Sequence, residues 1–257
     1  MFVFALPLLA GCKPPPDAPA ELDELVGYLF ENVPGDDPAP LEVGAANLHD
    51  WLDKRIDETL EGYTVDNLSE DAVSALGDGD RDLDGLAGAA VGHVSPETPE
   101  TLVSSIIEDD PLQVYEGTYL SFDRDYQSGS NCFAKDTCDW LEAEVHASFA
   151  YPLGLEVETH SWVQYRWVET DLGPVYVERT WLREPATVSL DFLEVDQQYY
   201  LRMILPDDDG GGSRSIQVTW VVARLTGDDV PEDVALGLMI DSMANQADTL
   251  DAWIAGE

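Results

Sequence analysis

Two runs of alternating apolar and polar residues decide the fold, Leu141-Glu-Ala-Glu-Val-His-Ala-Ser-Phe-Ala-Tyr151 and Leu155-Glu-Val-Glu-Thr-His-Ser-Trp-Val-Gln-Tyr-Arg-Trp167. A period of two is typical of strands with one buried face. Pro152-Leu-Gly154 between them predicts a three-residue hairpin turn, with Gly154 in the left-handed conformation. Such a turn places Tyr151 opposite Leu155 and, further along the strands, His146 opposite His160.

Strand-like alternation continues on both sides of this hairpin, at about 114–122, 175–182, 187–193, 198–205 and 215–225. From Pro231 to Ala255 the apolar residues recur at intervals of three and four, which is typical of an amphipathic helix. Helical spacing also occurs at 21–33, at 45–61 and, after Ser69, up to residue 76, whereas 77–100 is predicted mainly as loop. The predicted fold class is α+β, with N-terminal helices and then a six- to seven-stranded antiparallel sheet closed by a long C-terminal helix.

The order of elements over about residues 111–255 resembles that of helix-grip domains of the START/Bet v 1 type, and Gly227-Asp-Asp-Val-Pro231 leads into the final helix. The resemblance implies a curved sheet wrapped around the C-terminal helix, with a cavity for an apolar ligand between them. A filled core between sheet and helix is the alternative that the residues leave open. The helical N-terminal part departs from the family's pattern.

The first twelve residues end in Leu9-Ala10-Gly11-Cys12 after an apolar run, and this pattern resembles the lipobox of bacterial lipoproteins, here one of an uncharacterised family. The resemblance implies that a signal peptide is removed and that Cys12 carries the lipid. A helix of eleven residues spans only about 16 Å, roughly half of a 30 Å hydrocarbon core, so the run is not a membrane span. No Lys or Arg precedes it, which predicts a true start codon further upstream.

The chain is expected to divide into four segments. Residues 1–11 are the signal peptide, 12–20 the lipidated cysteine with a Pro-rich spacer, 21–110 a helical acidic segment, and 111–257 the sheet with the C-terminal helix. Lys13, rather than an aspartate, follows the cysteine. Under the sorting rule of the lipoprotein family this favours the outer membrane of the bacterial cell envelope.

Acidic residues dominate the charge, with 52 Asp and Glu against 12 Lys and Arg and a formal net charge of −40. A phosphate backbone requires cationic contacts, so nucleic acid is excluded as a partner. The protein surface should also repel anionic headgroups, which leaves the lipid anchor as the expected contact with a membrane. Divalent cations are the partners that this charge favours, and no protein partner is indicated.

Two cysteines remain once Cys12 is lipidated, and they are Cys132 and Cys138. In an oxidising compartment such a pair is expected to form a disulfide. A metal-binding pair is the alternative, but no histidine lies near them in the sequence and zinc ligands are usually more closely spaced.

A first candidate metal site is the acidic segment Asp78-Gly-Asp80-Arg-Asp82-Leu-Asp84-Gly85. Asp80, Asp82, Asp84 and Gly85 match the opening of an EF-hand-type loop, in which alternate carboxylates bind calcium and glycine permits a sharp turn. Six positions after Gly85, where that family has a bidentate glutamate, this chain has Val91. The segment therefore predicts a calcium site, with a solvated acidic turn as the alternative.

A second candidate metal site follows from the hairpin. His146 and His160 should face each other on the polar side, with Glu144 and Glu158 beside them. Two imidazoles and neighbouring carboxylates are ligands that suit zinc or copper. The solvent-exposed face of a half-buried strand is the alternative, and a shift of the register by one residue would separate the group.

The sequence contains no nucleophile elbow, P-loop, zincin helix or dinucleotide-binding motif. The function predicted first is therefore a lipid-anchored acidic envelope lipoprotein with a non-catalytic binding or structural module of unknown ligand. A helix-grip carrier of an apolar ligand is the alternative. A metal-dependent hydrolase built on His146 and His160 is a further one.

Overall fold

The computed structural model describes residues 17–77, 81–127, 129–135, 137–151, 154–189, 193–208, 211–225, 228–229 and 232–256. The lipobox with Cys12, and Asp78 and Asp80 of the predicted calcium loop, lie outside these ranges. None of the helices in the described part of the chain combines the length and the apolar character that a membrane span needs.

The helices within these ranges are α1 (Leu22–Asn32), α2 (Ala39–Arg55), α3 (Glu70–Ser74), α4 (Pro99–Glu108), α5 (Pro111–Val114), α6 (Ser130–Phe133) and α7 (Glu232–Ala255). The strands are β1 (Tyr63–Val65), β2 (Ala87–Ser95), β3 (Tyr119–Tyr126), β4 (Trp140–Tyr151), β5 (Leu155–Thr170), β6 (Gly173–Leu182), β7 (Thr187–Val188), β8 (Leu193–Pro206), β9 (Ser213–Leu225) and β10 (Asp228–Asp229).

The described strands form one antiparallel sheet in the order β1-β2-β9-β8-β6-β5-β4-β3, with β7 paired to β5 and β10 paired to β9. Strands β1 and β3 lie at the two edges, so the sheet is open. The predicted α+β class is confirmed, with N-terminal helices before the sheet and a long helix after it. Ten strands exceed the six or seven predicted, because β1 and β2 come from the N-terminal part and β10 is a two-residue strand that was not predicted. Of the strand predicted at 187–193, only Thr187–Val188 forms β7, and Leu193 already begins β8, ahead of the start predicted at 198.

The central hairpin has the predicted register. Tyr151 pairs with Leu155 and His146 pairs with His160, and Gly154 has a φ of 77°, the left-handed conformation that a glycine adopts without a steric penalty. The odd-numbered residues of β4 therefore point towards the side of the sheet that faces α7, which we call the front face.

The opposite side, the back face, is covered by α1 and α2. Phe30 of α1 packs edge-on against Tyr199 and Trp220, with ring centroids 6.2 and 5.7 Å apart. All three side chains are fully buried. The sheet thus lies between two helical layers, one formed by α1 and α2 and the other by α4 to α7.

Two arginines attach the back layer to the sheet. Arg179 of β6 donates to the carbonyl of Phe30 at 3.1 Å, and Arg166 of β5 donates to the carbonyl of Val33 at 2.8 Å. These carbonyls belong to the C-terminal end of α1, where the helix provides no partner of its own. Burial lowers the pKa of Arg179 to about 10. The guanidinium groups therefore replace the missing helical donors.

The loop predicted over 77–100 is wrong for its central part. Residues 87–95 form β2, which pairs with β9 along its whole length. Its small side chains hide the alternation but permit close packing, since a Cβ at Gly88 would lie 2.5 Å from the indole of Trp220. Segment 21–110 consequently contributes strands as well as helices. The strand predicted at 114–122 begins only at Tyr119, because Asp110 and Pro111 start α5.

Candidate ligand-binding cavity

A cavity of about 340 Å³ lies between the front face of the sheet and α7. Helix α7 contributes Met239, Ser242, Met243, Gln246 and Leu250 to its wall. The volume falls within the roughly 300–1,000 Å³ of typical small-molecule sites. The sequence left open a filled core between the sheet and the final helix. The structure has a cavity there instead, as the START/Bet v 1 resemblance implied.

The cavity exists because α7 packs most closely near one edge of the sheet. Met243 lies in one cluster with Ala89 and Val91 of β2. The front faces of β4, β5, β6, β8 and β9 therefore border open space, and their side chains there are mainly apolar. These apolar lining residues include Val145, Ala147, Phe149, Val157, Leu182 and Val221.

A row of four polar residues crosses the front face, and we call it the polar row. Its members pair in sequence across β5, β6, β8 and β9, and they are Tyr165, Glu178, Arg202 and Gln217. Tyr165, Glu178 and Arg202 line the cavity itself. Gln217 donates to the carbonyl of Met243 at 3.3 Å and so connects the row to α7.

The polar row is linked by charge and hydrogen bonds. Nη1 of Arg202 lies 3.7 Å from Oε2 of Glu178, and Nη2 of Arg202 donates to Oε1 of Gln217 at 3.2 Å. The hydroxyls of Tyr176 and Tyr200 donate to Glu178 and Gln217 at 3.0 and 2.8 Å. Buried polar groups are stable only when they are paired in this way.

Burial and neighbouring charges shift the pKa values of the arginine and tyrosine side chains in the cavity. Burial opposes the charge on Arg202, but Tyr200, Glu178 and Tyr115 outweigh it and raise the pKa of the guanidinium. Burial also raises the pKa of the Tyr165 and Tyr200 hydroxyls. At neutral pH the cavity therefore offers a charged guanidinium and neutral hydroxyl groups as hydrogen-bond donors.

A second arginine, Arg124 of β3, also lines the cavity and donates to the carbonyl of Ile106 at 2.8 Å. Asp109 lies in the lining as well and accepts a hydrogen bond from the indole of Trp253 at 2.8 Å. Among the described residues, Arg124 and Arg202 offset Glu178 and Asp109, so the lining is formally neutral in a chain of net charge −40.

Sequence reasoning missed the polar row. The alternation places Glu178 and Arg202 on the polar side of their strands, because the apolar residues Val177 and Leu201 occupy the other phase. That apolar phase packs on the back layer. Since the front face is also covered, the two charged residues are enclosed, which the pattern of a half-buried strand does not indicate.

Cys132 and Cys138 are joined by a disulfide with their Cα atoms 5.4 Å apart. The bridge closes a loop around α6 and holds Phe133, which is fully buried. The indole of Trp167 donates to the carbonyl of Phe133 at 2.9 Å, and the two rings stack at 6.0 Å. The disulfide loop thus contributes an aromatic residue to the filled part of the front-face core.

Two of the predicted calcium ligands lie in the described residues. Oδ1 of Asp82 accepts from the backbone N–H of Asp84 at 3.0 Å, and Gly85 has a φ of 77°. The described part of the segment, from Asp82 to Gly85, therefore forms a turn. Its other two carboxylates, Asp78 and Asp80, lie outside the described residues, and calcium binding stays a prediction.

Three of the four residues of the second metal prediction come together. Donor atoms of Glu144, His146 and His160 all lie within 4.8 Å of one another. Glu158 pairs with Ser148, one row further along the hairpin, and is not in this group. The group lies on the back side of the sheet, whereas the cavity is on the front, so an ion there would not reach a ligand in the cavity.

Neither a family model nor a curated protein matches the sequence. Among solved structures, the chain is similar to Ara h 8.0201 (14% identity, 67% of this chain and 100% of that chain, TM-score 0.37). It is also similar to TTHA0849 from Thermus thermophilus (14%, 66% and 97%, TM-score 0.42). A third is a fragment of a STAR-related lipid transfer protein from Xanthomonas axonopodis (8%, 68% and 96%, TM-score 0.43). Because every TM-score is below 0.5, these likenesses carry no functional argument.

Proposed function

We propose that the protein is a non-catalytic carrier that binds a small, largely apolar molecule in the cavity between the sheet and α7. One observation above all supports this function, namely the cavity of about 340 Å³ with apolar walls from β4, β5 and β8. An unfilled cavity lowers the packing density of the protein and reduces its stability. An apolar ligand would recover that loss by removing its own surface from water.

The polar row indicates the chemistry of the ligand's polar end, because that end would contact these side chains. Glu178 can accept a hydrogen bond, while Arg202 and Tyr165 can donate one. The formal neutrality of the lining favours an uncharged polar group over an ion, because a net charge in the cavity would lack a counter-charge. We therefore infer a ligand with an apolar body and one uncharged polar end, such as a hydroxyl.

The experiment is a titration of the purified protein with N-phenyl-1-naphthylamine, an uncharged dye whose fluorescence rises in apolar surroundings, followed by displacement with long-chain alcohols. Saturable binding and displacement are expected. Ala147→Phe should weaken both, since Ala147 lines the cavity and the larger ring would occupy it.

Ala150→Phe is the matched control. Ala150 lies on the same strand, pairs with Glu156 and is not a lining residue. The Ala150→Phe variant should bind the dye as the unaltered protein does. Binding that does not saturate, or an equal loss in both variants, would contradict a ligand site in the cavity.

We also infer that Cys12 anchors the carrier to the cell envelope through a lipid. This rests on the pattern Leu9-Ala10-Gly11-Cys12 followed by Lys13. The disulfide between Cys132 and Cys138 supports export, because such bonds persist in oxidising compartments.

A further inference from the structure

Three potential metal ligands meet on the back side of the β4–β5 hairpin. Glu144 and His146 are two residues apart on β4, so their side chains leave the same face of the sheet. His160 of β5 is the direct cross-strand partner of His146. Two positions on one strand and one on its neighbour form a compact triangle on a rigid surface.

The atoms are already close to one another. Nε2 of His160 lies 2.6 Å from Oε1 of Glu144. The imidazoles of His146 and His160 stack with centroids 4.2 Å apart and an angle of 16° between their planes. Zinc bonds of about 2.0–2.1 Å place tetrahedral donors about 3.3 Å apart, so the three ligands can reach one ion once the stacked imidazoles rotate to point a nitrogen of each ring at it.

We propose that Glu144, His146 and His160 form a binding site for a divalent transition-metal ion of the Zn²⁺ class. Two imidazoles and one carboxylate suit zinc or copper, whereas calcium and magnesium prefer oxygen ligands alone. Three protein ligands leave a fourth position to water. His146 is exposed and His160 is partly exposed, so an ion has direct access from solvent.

Glu184 supplies an outer partner for the site. Its Oε1 lies 3.3 Å from Nδ1 of His160, on the opposite side of the ring from Glu144. A carboxylate that accepts from Nδ1 fixes the ring and directs Nε2 towards a metal, which is the usual arrangement around zinc-bound histidine.

The hydrogen bond between Glu144 and His160 already holds two of the three ligands together. A metal ion bound between them would take the place of the shared proton, which would be released to solvent.

Neighbouring carboxylates add to the attraction for cations. Asp123 and Asp125 of β3 are the cross-strand partners of His146 and Glu144. Arg183 is a nearby cation that opposes this attraction. Since the chain carries a net charge of −40, unspecific binding of cations must be separated from binding at this site.

The test is a calorimetric titration of the purified full chain with ZnCl₂ at neutral pH, in physiological salt and with an excess of Mg²⁺ to cover unspecific acidic sites. One Zn²⁺ per chain is expected. His160→Gln and His146→Asn should each abolish this stoichiometric binding. Glu184→Gln should keep the stoichiometry and weaken the affinity by roughly 10–100-fold, as outer partners do.

Glu158→Gln is the matched control, because Glu158 is a carboxylate on the same face of the hairpin but outside the group. It should bind zinc like the unaltered chain. The proposal is overturned if the unaltered chain binds no stoichiometric zinc, or if both histidine variants bind as well as Glu158→Gln does. Circular dichroism of each variant confirms that a lost site does not reflect a lost fold.

Discussion

Glu178 on β6 and Arg202 on β8 face each other across neighbouring strands, with Oε2 of Glu178 3.7 Å from Nη1 of Arg202 at the polar end of the cavity. Their side chains are only 13% and 10% exposed. Charges this far from water are costly unless each has a partner. The pair therefore links the stability of the protein to the chemistry of its cavity.

Arg202→Met is expected to lower the free energy of unfolding by about 3–5 kcal/mol, because it leaves the Glu178 carboxylate buried without its partner. The double variant Glu178→Gln/Arg202→Met should recover most of that loss. Urea unfolding of the variants measures both effects. A loss well below about 1 kcal/mol in the single variant would show that water solvates Glu178 in the cavity.

Alkaline pH should unfold the protein through its buried tyrosines. Burial raises the pKa of Tyr165, Tyr176 and Tyr200 above the ordinary value of 10.0. Between the unfolded and folded pKa values the folded chain keeps protons that the unfolded chain loses. Their contribution to stability is therefore complete below about pH 10 and falls as the pH rises further. Tyrosinate absorbance, followed together with circular dichroism, should rise only as the fold is lost.

Arg179→Met should destabilise the protein by about 1–3 kcal/mol, since the buried carbonyl of Phe30 and the amide oxygen of Gln164 lose their donor. Lys54→Met is a suitable control, because the Lys54 ammonium is exposed and lies 3.8 Å from Asp50. Exposed pairs of this kind contribute about 0–1 kcal/mol. Equal melting temperatures for the two variants would contradict the role of Arg179.

A fragment of residues 111–257 is expected not to fold alone, although it contains the hairpin and α7. It lacks β2, which pairs with β9, and it lacks α1, whose Phe30 packs against Tyr199 and Trp220. Both side chains are fully buried in the whole chain and would be exposed in the fragment. Gel filtration and urea unfolding of the fragment test this. A monomeric fragment with a cooperative transition would instead make 111–257 an independent domain.

Cys12→Ala should move the protein from the membrane fraction to the soluble fraction of a Gram-negative host, because the acyl chains would be its main membrane contact. Fractionation of cells that express either chain measures the change. Equal distribution of the two chains would refute the lipid anchor.

The sequence predicted the parts of the fold that repeat regularly. Leu141–Trp167 alternates so strictly that it determines the register, and the register alone brought His146 to His160. The cavity could be expected only from a family resemblance, since empty space depends on where α7 packs. The contact between Glu178 and Arg202 depends on the pairing of β6 with β8. These strands are not linked by a single tight turn, so the sequence does not determine their register.

Strand β2 was missed for a different reason. Its residues Ala87-Gly-Ala-Ala90 are small, so neither face has an apolar signal. Their role becomes visible only beside the large partners that they accommodate, such as Trp220 against Gly88. The periodicity of a sequence reveals large apolar side chains that fill a core. It does not reveal small residues that are needed because a large neighbour packs against them.

The start of the described chain is fastened to the back layer, where the side-chain amide of Asn47 donates to the carbonyls of Ala18 and Pro19 at 3.0 and 2.9 Å. If Cys12 carries the proposed lipid, a pull on the tether would be transmitted to α2. Helix α2 packs on α1, whose C-terminal carbonyls accept from Arg166 and Arg179, so the load would pass through α1 into β5 and β6. Helix α7, which covers the cavity from the other side of the sheet, stays outside that mechanical path.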